Sequence, residues 1–430
     1  MRGSLDRGGI GQLLHRRARL LLGSADGKPQ HECQAWWSET RQKLPLVNFS
    51  CFIYFDVSSL YLCCKAEALL RYKPEPIPLA TCNQPNTYNK QRMEFSDRYS
   101  RQVLFPGIGA TRQARLRASR VAVVGCGATG TCVASLLARA GVGQLKIIDR
   151  DYVEPSNLQR QSLFDEADAA DSLPKAIAAA RKIAAFNSEV EVAAEVADLT
   201  PENADSLLNP TDLILDATDN FETRYLINDF SVKNGRPWIY AAAVAAYAVT
   251  MNIIPGETAC LSCVFPAPPE GTVETCDTAG ILNSAVNLVG SIEATEAIKF
   301  LVGARDKLRR TLLSFDVWCN ENAEISAAKP RFGCQACQQH DFVHLAGQRR
   351  PQITMCGRNS VQIHERNRPV DFSEMRSRLE PHGTVKHNDF VMKFWCDPYE
   401  LTLFPDGRAI IKGTTDTGVA RSLYARFIGS

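Results

Sequence analysis

Several polar residues that suit phosphate chemistry follow one another in the middle third of the chain. Arg160 and Lys175 carry positive charges, and Asp149 and Asp219 each end an apolar, strand-like run. A site that transfers part of a nucleoside triphosphate must neutralise the α-phosphate and the leaving pyrophosphate, which two cations suit. Asp219, beside Asn220, suits Mg²⁺ on those phosphates. Taken singly, each charge is typical of a solvated surface; in this order they predict nucleotide-dependent transfer chemistry.

A glycine-rich turn precedes these residues. The β-branched run 121–124 is typical of a buried parallel strand, and Gly125, Gly127 and Gly130 follow it as G-x-G-x-x-G. Such glycines let backbone N–H groups approach a phosphate at the start of a helix. Asp149 ends the next strand, where its carboxylate can accept hydrogen bonds from ribose hydroxyls. The segment predicts nucleotide binding and leaves open which nucleotide is bound.

Four cysteines form two C-x-x-C pairs. They are Cys260, Cys263, Cys334 and Cys337. Four thiolates make a closed tetrahedral Zn²⁺ site, which is structural because no coordination position stays open. A single pair could be a redox pair, but two pairs favour zinc. Cys126, Cys132 and Cys319 lie in apolar stretches, and we expect them in the core.

The bulk composition excludes some classes of function. A net charge of +2 gives no electrostatic case for binding nucleic acid or an anionic membrane surface. The longest apolar stretch, 281–302, contains Asn, Glu and Lys and predicts a helix inside a protein. The 15 cysteines are dispersed, which favours a reducing compartment over a disulfide framework. We therefore expect a cytoplasmic protein.

The elements that must position these residues alternate between strands and helices. Besides 121–124 and the run ending at Asp149, strands are predicted at 190–196, 212–219, 238–244, 248–254 and 311–317. The strand at 311–317 is predicted to be the last one of this sheet. Helices are predicted at 171–187, 224–234 and 281–302. This alternation predicts a doubly wound, Rossmann-like α/β sheet with ligands at the carboxyl ends of the strands.

Two further regions flank this sheet. Residues 1–92 show no regular pattern, and we expect a poorly structured extension. The main domain is predicted at 95–345, and a small α+β module at 353–430. In that module, strands are predicted at 361–364, 390–395, 401–404 and 408–412, with a turn at 405–407 and helices at 372–379 and 418–428.

From position 97 to 338 the chain resembles the ThiF/MoeB adenylyltransferases, bacterial relatives of ubiquitin-activating enzymes. The shared motifs are D-R-Y-S-R-Q, G-x-G-x-x-G, I-I-D-R-D, S-N-L-Q-R-Q, P-K, A-T-D-N, C-L-S-C and C-Q-A-C. The resemblance implies a homodimer with the doubly wound ThiF fold. It also implies use of ATP to adenylate the C-terminal glycine of a ubiquitin-like sulfur carrier of the MoaD/ThiS type, for molybdopterin, thiamine or related biosynthesis.

The resemblance also implies roles for single residues. It places the ribose at Asp149, the phosphates at Ser156–Arg160 and Lys175, and the metal at Asp219 and Asn220. The family fingerprint usually ends G-G-[LIV]-G, whereas this chain has Ala128 at its second position. An alanine keeps its backbone N–H as a hydrogen-bond donor, so we expect nucleotide affinity to be altered and not lost. The matched nucleotide-binding residues are Gly125, Gly127, Ala128, Gly130, Asp149, Ser156, Asn157, Gln159, Arg160, Lys175, Asp219 and Asn220.

Two residues receive further roles from the resemblance. The family arginine matching Arg101 reaches the ATP of the neighbouring subunit, as arginine fingers do. An ordinary surface pair with Arg98 is the alternative. Cys276, in a segment rich in Pro, Gly and Thr, matches a cysteine proposed to take the activated carrier as a thioester or acyl-disulfide. A small buried residue is the alternative for Cys276.

Two other classes of function stay open. An NAD-dependent oxidoreductase would explain the glycine fingerprint and Asp149, but it leaves Arg160, Lys175 and both cysteine pairs unexplained. A non-catalytic nucleotide-binding scaffold would tolerate the altered fingerprint, but the intact set of charged residues argues against it.

Overall fold

The computed structural model describes residues 97–267, 279–347, 353–355, 359–363 and 370–429. The predicted N-terminal extension and Cys276 lie outside the described residues. The larger of two sheets has the strand order β3-β2-β1-β4-β5-β6-β7-β8. Its strands are β1 (Arg120–Val124), β2 (Gln144–Ile148), β3 (Glu191–Glu195), β4 (Leu213–Asp216), β5 (Trp238–Val244), β6 (Tyr247–Ile253), β7 (Thr311–Asp316) and β8 (Glu321–Ser326).

The core of this sheet is parallel and has helices on both faces. Strands β1 to β5 are paired in parallel in the order 3-2-1-4-5. Side chains of β1 alternate between two apolar clusters, one holding Val121 and Val123 and the other Ala122 and Val124. The helices are α1 (Ser100–Leu104), α2 (Gly109–Ala118), α3 (Ala128–Ala140), α4 (Glu166–Ala170), α5 (Lys175–Phe186), α6 (Ala204–Leu208), α7 (Phe221–Asn234), α8 (Leu261–Val264) and α9 (Asn283–Leu301).

Helices α3, α5 and α9 contribute to the cluster of Val121, whereas α6 and α7 contribute to the cluster of Ala122. Because successive side chains of a strand point to opposite faces of the sheet, β1 packs against a layer of helices on each face. The predicted α/β fold with a parallel core is confirmed.

The other half of the sheet is antiparallel. Only Ala245 and Ala246 connect β5 to β6, which is far too short for a parallel crossover, so the chain turns back as a hairpin. The prediction that 311–317 is the last strand was wrong, because β8 follows it. All six residues of β8 are exposed, so its sequence lacks the apolar pattern of a buried strand.

The second sheet has the order β11-β12-β13-β14-β10-β9 and is antiparallel. The turn at 405–407 leads into β14 as predicted, with Gly407 at φ +84°. Two of its strands, β9 and β11, escaped the sequence analysis, because both are short and β11 is largely exposed. Its elements are β9 (Ile353–Met355), β10 (Ser360–Ile363), α10 (Phe372–Leu379), β11 (Thr384–His387), β12 (Met392–Cys396), β13 (Tyr399–Leu403), β14 (Ala409–Lys412) and α11 (Thr417–Phe427).

The cysteines predicted in the core divide into two groups. Cys126 and Cys132 are buried, as predicted, but Cys319 is exposed, so that prediction was wrong. Cys319 lies in the turn between β7 and β8, where its N–H and that of Trp318 donate to Asp316. Cys319 itself belongs to none of the apolar clusters of the described residues. Within the part of the chain that the structure describes, no helix has the length and hydropathy needed to cross a bilayer.

Candidate active site

The carboxyl ends of three neighbouring strands meet at one edge of the large sheet. Val124, the last residue of β1, pairs with Ile148 at the end of β2 and with Asp216 at the end of β4. The N–H of Gly125 donates to the carbonyl of Ile148 over 2.8 Å. Neighbouring strands are ~4.8 Å apart, so the residues that leave these three strands lie together. This edge therefore collects the predicted nucleotide-binding residues.

Two fingerprint glycines are required by close backbone packing. Gly125 has φ +91°, and a Cβ there would lie 2.5 Å from the carbonyl oxygen of Ala217. A Cβ on Gly130 would lie 2.1 Å from the carbonyl oxygen of Gly125. Both distances are far below van der Waals contact, so any side chain would separate α3 from the strand ends.

The other half of the fingerprint faces open space. A Cβ on Gly127 would meet only the Nε2 of Gln161, at 3.9 Å, and α3 begins at Ala128. The backbone N–H groups at this helix start are therefore accessible to an anion. Gln161 was assigned no role from the sequence. It is buried, and its Oε1 has no hydrogen-bond partner among the described residues, which makes it a further candidate for contact with a ligand.

Asp149 joins the loops that follow β1 and β2. Its Oδ2 accepts from the N–H of Cys126 over 2.5 Å, and its Oδ1 accepts from the N–H of Asp151 over 2.7 Å. Each carboxylate oxygen retains a second lone pair that a hydroxyl can use. Burial raises the pKa of Asp149, and the nearby charge of Lys175 partly opposes the rise.

Lys175 is the first residue of α5 and is only 8% exposed. Its Nζ lies 3.1 Å from Oδ2 of Asp151, and its backbone N–H donates to the Asp151 carbonyl. Burial would lower the pKa of Lys175, but the carboxylates of Asp151 and Asp149 outweigh that effect and raise it. The ammonium group therefore stays charged at the edge of the site.

The segment Ser156–Arg160 forms a short 3₁₀ turn and its exit. Asn157 is buried, and its Oδ1 accepts from the N–H of Glu154 over 3.1 Å, so this side chain shapes the turn. The Nη1 of Arg160 donates to the carbonyl of Ser156 over 2.9 Å. The side chains of Ser156 and Gln159 are exposed.

A buried ion pair that the sequence analysis missed supports the loop after β4. The Nε of Arg224 lies 3.1 Å from Oδ2 of Asp216, and both side chains are buried. Oδ1 of Asp216 accepts from the N–H and hydroxyl of Thr218, so the pair shapes the loop that carries Asp219. The signal was an acid at the end of a strand with an arginine eight residues later, which has no fixed motif.

The carboxylate of Asp219 is exposed at the end of this loop. Asn220 is the N-cap of α7, and its Oδ1 accepts from the N–H of Thr223 over 2.9 Å. Its amide Nδ2 lies 3.5 Å from the carboxylate of Asp219. Of the two residues predicted on the metal side, Asp219 therefore has the accessible carboxylate, whereas the Asn220 oxygen already caps a helix.

Glu293 on α9 is a buried acid near this pair. Both of its carboxylate oxygens are buried without a hydrogen-bond partner among the described residues. Burial raises the pKa of Glu293 well above its ordinary value, Asp216 adds to the rise, and Arg224 partly opposes it. The folded protein therefore keeps a proton here that the unfolded chain releases near its ordinary pKa of 4.5.

We expect Glu293→Gln to stabilise the protein at pH 8. Because the unfolded chain binds fewer protons at this site, its contribution to stability falls as pH rises above the unfolded pKa. The gain in free energy of unfolding should be about 1 kcal/mol or more at pH 8 and should shrink towards pH 5. Thermal melts at both pH values measure it, with exposed Glu321→Gln as the control. An equal change in Tm at both pH values would contradict the interpretation.

The four cysteines of the two C-x-x-C pairs come together beside α8. The Sγ atoms of Cys260 and Cys263 are 3.7 Å apart, those of Cys260 and Cys334 are 3.6 Å apart, and those of Cys263 and Cys337 are 3.4 Å apart. These separations are too long for disulfides. A tetrahedral Zn²⁺ with Zn–S bonds of about 2.3 Å places its sulfurs ~3.8 Å apart. The donor set and its spacing therefore fit Zn²⁺.

The segment that carries Arg101 packs at the far ends of the site helices. The Nε2 of Gln102 donates to the carbonyl of Ala140, the last residue of α3, over 2.8 Å. Arg98 pairs with Glu189 at 3.7 Å and donates to the carbonyl of Phe186, the last residue of α5. A helix as long as α3 extends ~20 Å, so Arg101 lies about that far from the site of its own chain. Its side chain is exposed.

The chain is similar to several known proteins. The profile of the ThiF family matches residues 99–336. The sulfur carrier protein ThiS adenylyltransferase of Bacillus subtilis (strain 168) is 43% identical over 339 residues, which cover 78% of this chain and 100% of that protein. The sulfur carrier protein adenylyltransferase of Thermus thermophilus is 41% identical over 229 residues, covering 52% of this chain and 84% of that protein.

Two further similarities cover less of the related protein. The adenylyltransferase and sulfurtransferase MOCS3 of Sus scrofa is 36% identical over 65% of this chain and 59% of its own length. The solved structure of E. coli MccB with AMPCPP and MccA is 22% identical and has a TM-score of 0.50, covering 59% of this chain and 76% of that chain. At this identity, the structural similarity shows the fold alone.

Proposed function

This chain belongs to the ThiF family, and from that premise we propose that it is an ATP-dependent adenylyltransferase. Its substrate is the C-terminal glycine carboxylate of a ubiquitin-like sulfur carrier, which it converts to an acyl-adenylate. The observation that carries the proposal is the 43% identity to a ThiS adenylyltransferase over that protein's full length. The site agrees with it, because an open fingerprint turn, a charged buried lysine and an exposed aspartate meet at one edge of the sheet.

In the proposed reaction, an oxygen of the carrier carboxylate attacks the α-phosphorus of ATP. The bond from the α-phosphorus to the oxygen that bridges it to the β-phosphate breaks, and pyrophosphate leaves. We assign the N–H groups at Gly127 and Ala128 to the phosphates, because only there is the turn open. Lys175 and Arg160 neutralise the charge that develops on the phosphates, and Asp149 accepts from the ribose hydroxyls.

We assign Mg²⁺ to Asp219, because its carboxylate is exposed at the same edge as Lys175. The two charges are close enough for Asp219 to raise the pKa of Lys175. Bound Mg²⁺ would neutralise negative charge on the phosphates. Asn220 contributes by fixing the loop through its cap on α7, and its amide lies beside Asp219.

We assign Zn²⁺ to Cys260, Cys263, Cys334 and Cys337 as a structural ion. Four thiolates leave no position open for a substrate. The site joins the start of α8 to the segment after β8, and the N–H of Arg331 donates to the sulfur of Cys263 over 3.2 Å. Such a donor favours the thiolate form that zinc requires.

A homodimer supplies each site with Arg101 of the other subunit in this proposal. Two observations support it: the ~20 Å that separate Arg101 from its own site, and the exposure of apolar side chains beside it. Leu104 is 77% exposed and Phe105 is 62% exposed, which suits an interface between copies.

Mixing two inactive variants tests the arginine. We expect Arg101→Ala and Lys175→Ala each to be inactive alone. An equimolar mixture should recover up to about a quarter of wild-type activity per subunit, because about half of its dimers are mixed and each mixed dimer has one complete site. Recovery occurs because one site of a mixed dimer has both Lys175 and the partner's intact arginine. Subunit exchange is verified by differently sized tags. Mixed dimers that form and remain inactive would show that Arg101 does not act across the interface.

ATP–pyrophosphate exchange with candidate carriers tests the function itself. An active adenylyltransferase incorporates labelled pyrophosphate into ATP only when a carrier with a C-terminal glycine is present. Reduction of NAD instead of exchange would support the oxidoreductase, and nucleotide binding with neither reaction would support the scaffold. Parallel assays with thiamine-type and molybdopterin-type carriers distinguish the pathways.

Three predictions from the sequence remain proposals. Cys276 lies outside the described residues, and we propose that it accepts the activated carrier after adenylation. The division into an extension at 1–92, an adenylyltransferase domain at 95–345 and an α+β module at 353–430 is also proposed. A cytoplasmic location is proposed from the two C-x-x-C pairs, which suit a reducing compartment.

A further inference from the structure

The second sheet contacts residues 150–154. This segment connects Asp149, which is assigned to the ribose, to the turn at Ser156–Arg160. The Nη2 of Arg408 donates to the carbonyl of Arg150 over 2.6 Å. The Nζ of Lys412 pairs with the carboxylate of Glu154 and lies 3.2 Å from the hydroxyl of Tyr152. Residues 150–154 are therefore held by side chains from β14 and the turn before it.

An apolar contact accompanies these polar ones. Tyr152 is buried in a small cluster with Phe404 and Ile410 of the second sheet, and its ring centroid is 6.4 Å from that of Phe404. The guanidinium of Arg408 stacks on Phe404, with 3.7 Å between its Cζ and the ring centroid. Arg408 is 1% exposed. Burying a charge is unfavourable, and the Arg150 carbonyl and the Phe404 ring offset this only in part, because Nε and Nη1 of Arg408 have no hydrogen-bond partner among the described residues.

Residues 150–154 position two parts of the proposed phosphate site, Lys175 and the Ser156–Arg160 turn. The carbonyl of Asp151 accepts from the N–H of Lys175, and the N–H of Val153 donates to the carbonyl of Leu173, so the segment holds the start of α5. The backbone N–H of Glu154 donates to Oδ1 of Asn157 over 3.1 Å, and the N–H of Asn157 donates to the carbonyl of Glu154 over 2.9 Å, so Glu154 begins the turn of the Ser156–Arg160 segment. A shift of residues 150–154 would therefore move Lys175 and the Ser156–Arg160 turn together.

The second sheet also contributes charge to the site. Burial alone would raise the pKa of Asp151, but Lys175, Arg150 and Arg408 outweigh that effect and hold it well below its usual range. Asp151 is the carboxylate that pairs with Lys175. A cation of the second sheet thus helps to keep this carboxylate ionised.

We propose that the second sheet is a positioning device for the adenylation site, with Lys412 and Arg408 as its positioning residues. They hold residues 150–154 and thereby place Lys175 and the Ser156–Arg160 turn against the phosphates. The inference rests on the proposed function and gives the second sheet a role in it. Neither residue touches the reacting atoms, so their effect is on the geometry of the transition state.

Three variants of the full chain test the proposal. Lys412→Met removes the contact with Glu154 and keeps the aliphatic side chain, Lys412→Arg keeps the charge, and Lys386→Met removes an exposed lysine of β11 as the matched control. We expect Lys412→Met to lower kcat for exchange about tenfold, with the KM for the carrier and the Tm close to wild type. Lys412→Arg should recover most of the rate, and Lys386→Met should match wild type.

Hydrogen exchange supplies a readout that does not depend on catalysis. In Lys412→Met, amides of residues 150–154 and of Lys175 should exchange faster by mass spectrometry, and those of the control should not. If the wild-type chain lacks exchange activity, the proposed function fails, and calorimetric ATP binding takes the place of kcat, with at least fivefold weaker binding expected in Lys412→Met. Unchanged amide protection together with unchanged kcat or ATP affinity in Lys412→Met would overturn the positioning role.

Discussion

Lys175→Ala is expected to lower carrier-dependent ATP–pyrophosphate exchange by about 10²-fold or more, since it removes a charge aligned on the transferring phosphate. Lys175 is buried, charged and paired with Asp151 at 3.1 Å, so its loss also removes the nearest counter-charge of that carboxylate, although Arg150 remains at 3.8 Å. Repulsion between this carboxylate and the phosphates adds to the loss. The rate is measured with saturating carrier over a series of ATP concentrations.

The matched control is Lys182→Ala on the same helix. Lys182 also pairs with carboxylates, those of Asp165 and Asp168, but it lies two turns further along α5, about 10 Å from Lys175 along the helix axis. Lys182→Ala should keep most of the ATP–pyrophosphate exchange activity. Asp219→Ala should reduce exchange by a similar factor of ~10² through loss of the metal site, and Asp149→Ala should chiefly raise the KM for ATP. Unchanged exchange in Asp219→Ala would refute its assignment.

Cys334→Ser is expected to lose the bound zinc and to lower stability at the same time. Cys334 is fully buried between Cys260 and the apolar cluster that includes Trp238 and Leu261. Without the ion, one buried and two half-buried thiols remain, and the start of α8 loses its connection to the segment after β8. We expect a loss of about 4 kcal/mol in the free energy of unfolding, or ~10 °C in Tm.

Metal analysis and thermal melts of the same preparation test this prediction. The wild type should contain one Zn²⁺ per chain, released in proportion to the thiols that a mercurial titrates. Cys319→Ser is the control, because Cys319 is an exposed cysteine in a turn, and it should retain both zinc and Tm. Full zinc occupancy in Cys334→Ser would mean that the wrong cysteines had been grouped.

The sequence alone determined the parallel core, the fingerprint turn and the grouping of the four cysteines. Each depends on a pattern that local chemistry imposes: β-branched runs of strand length, glycines where backbone atoms nearly touch, and a C-x-x-C spacing that lets two sulfurs share one ion. Gly125 and Gly130 illustrate this, because their required small size is visible in the sequence and its cause in the packing.

Other features were decided only by the tertiary structure, because they depend on which distant segments meet. No periodicity distinguishes the antiparallel half of the sheet, the exposed β8 or the exposed Cys319 from their alternatives. The Asp216–Arg224 pair and the buried Glu293 become visible only when α7 and α9 cover the strand ends.

The separation of Arg101 from its own site and the contact of Lys412 with Glu154 also depend on which distant segments meet. The first depends on the length and direction of α3, because the segment that contains Arg101 packs against the last residue of that helix. The second brings together residues more than two hundred positions apart, through a surface that two sheets form jointly. Spacing along a chain specifies contacts within one turn or one strand pair, whereas these contacts are specified by how whole layers pack.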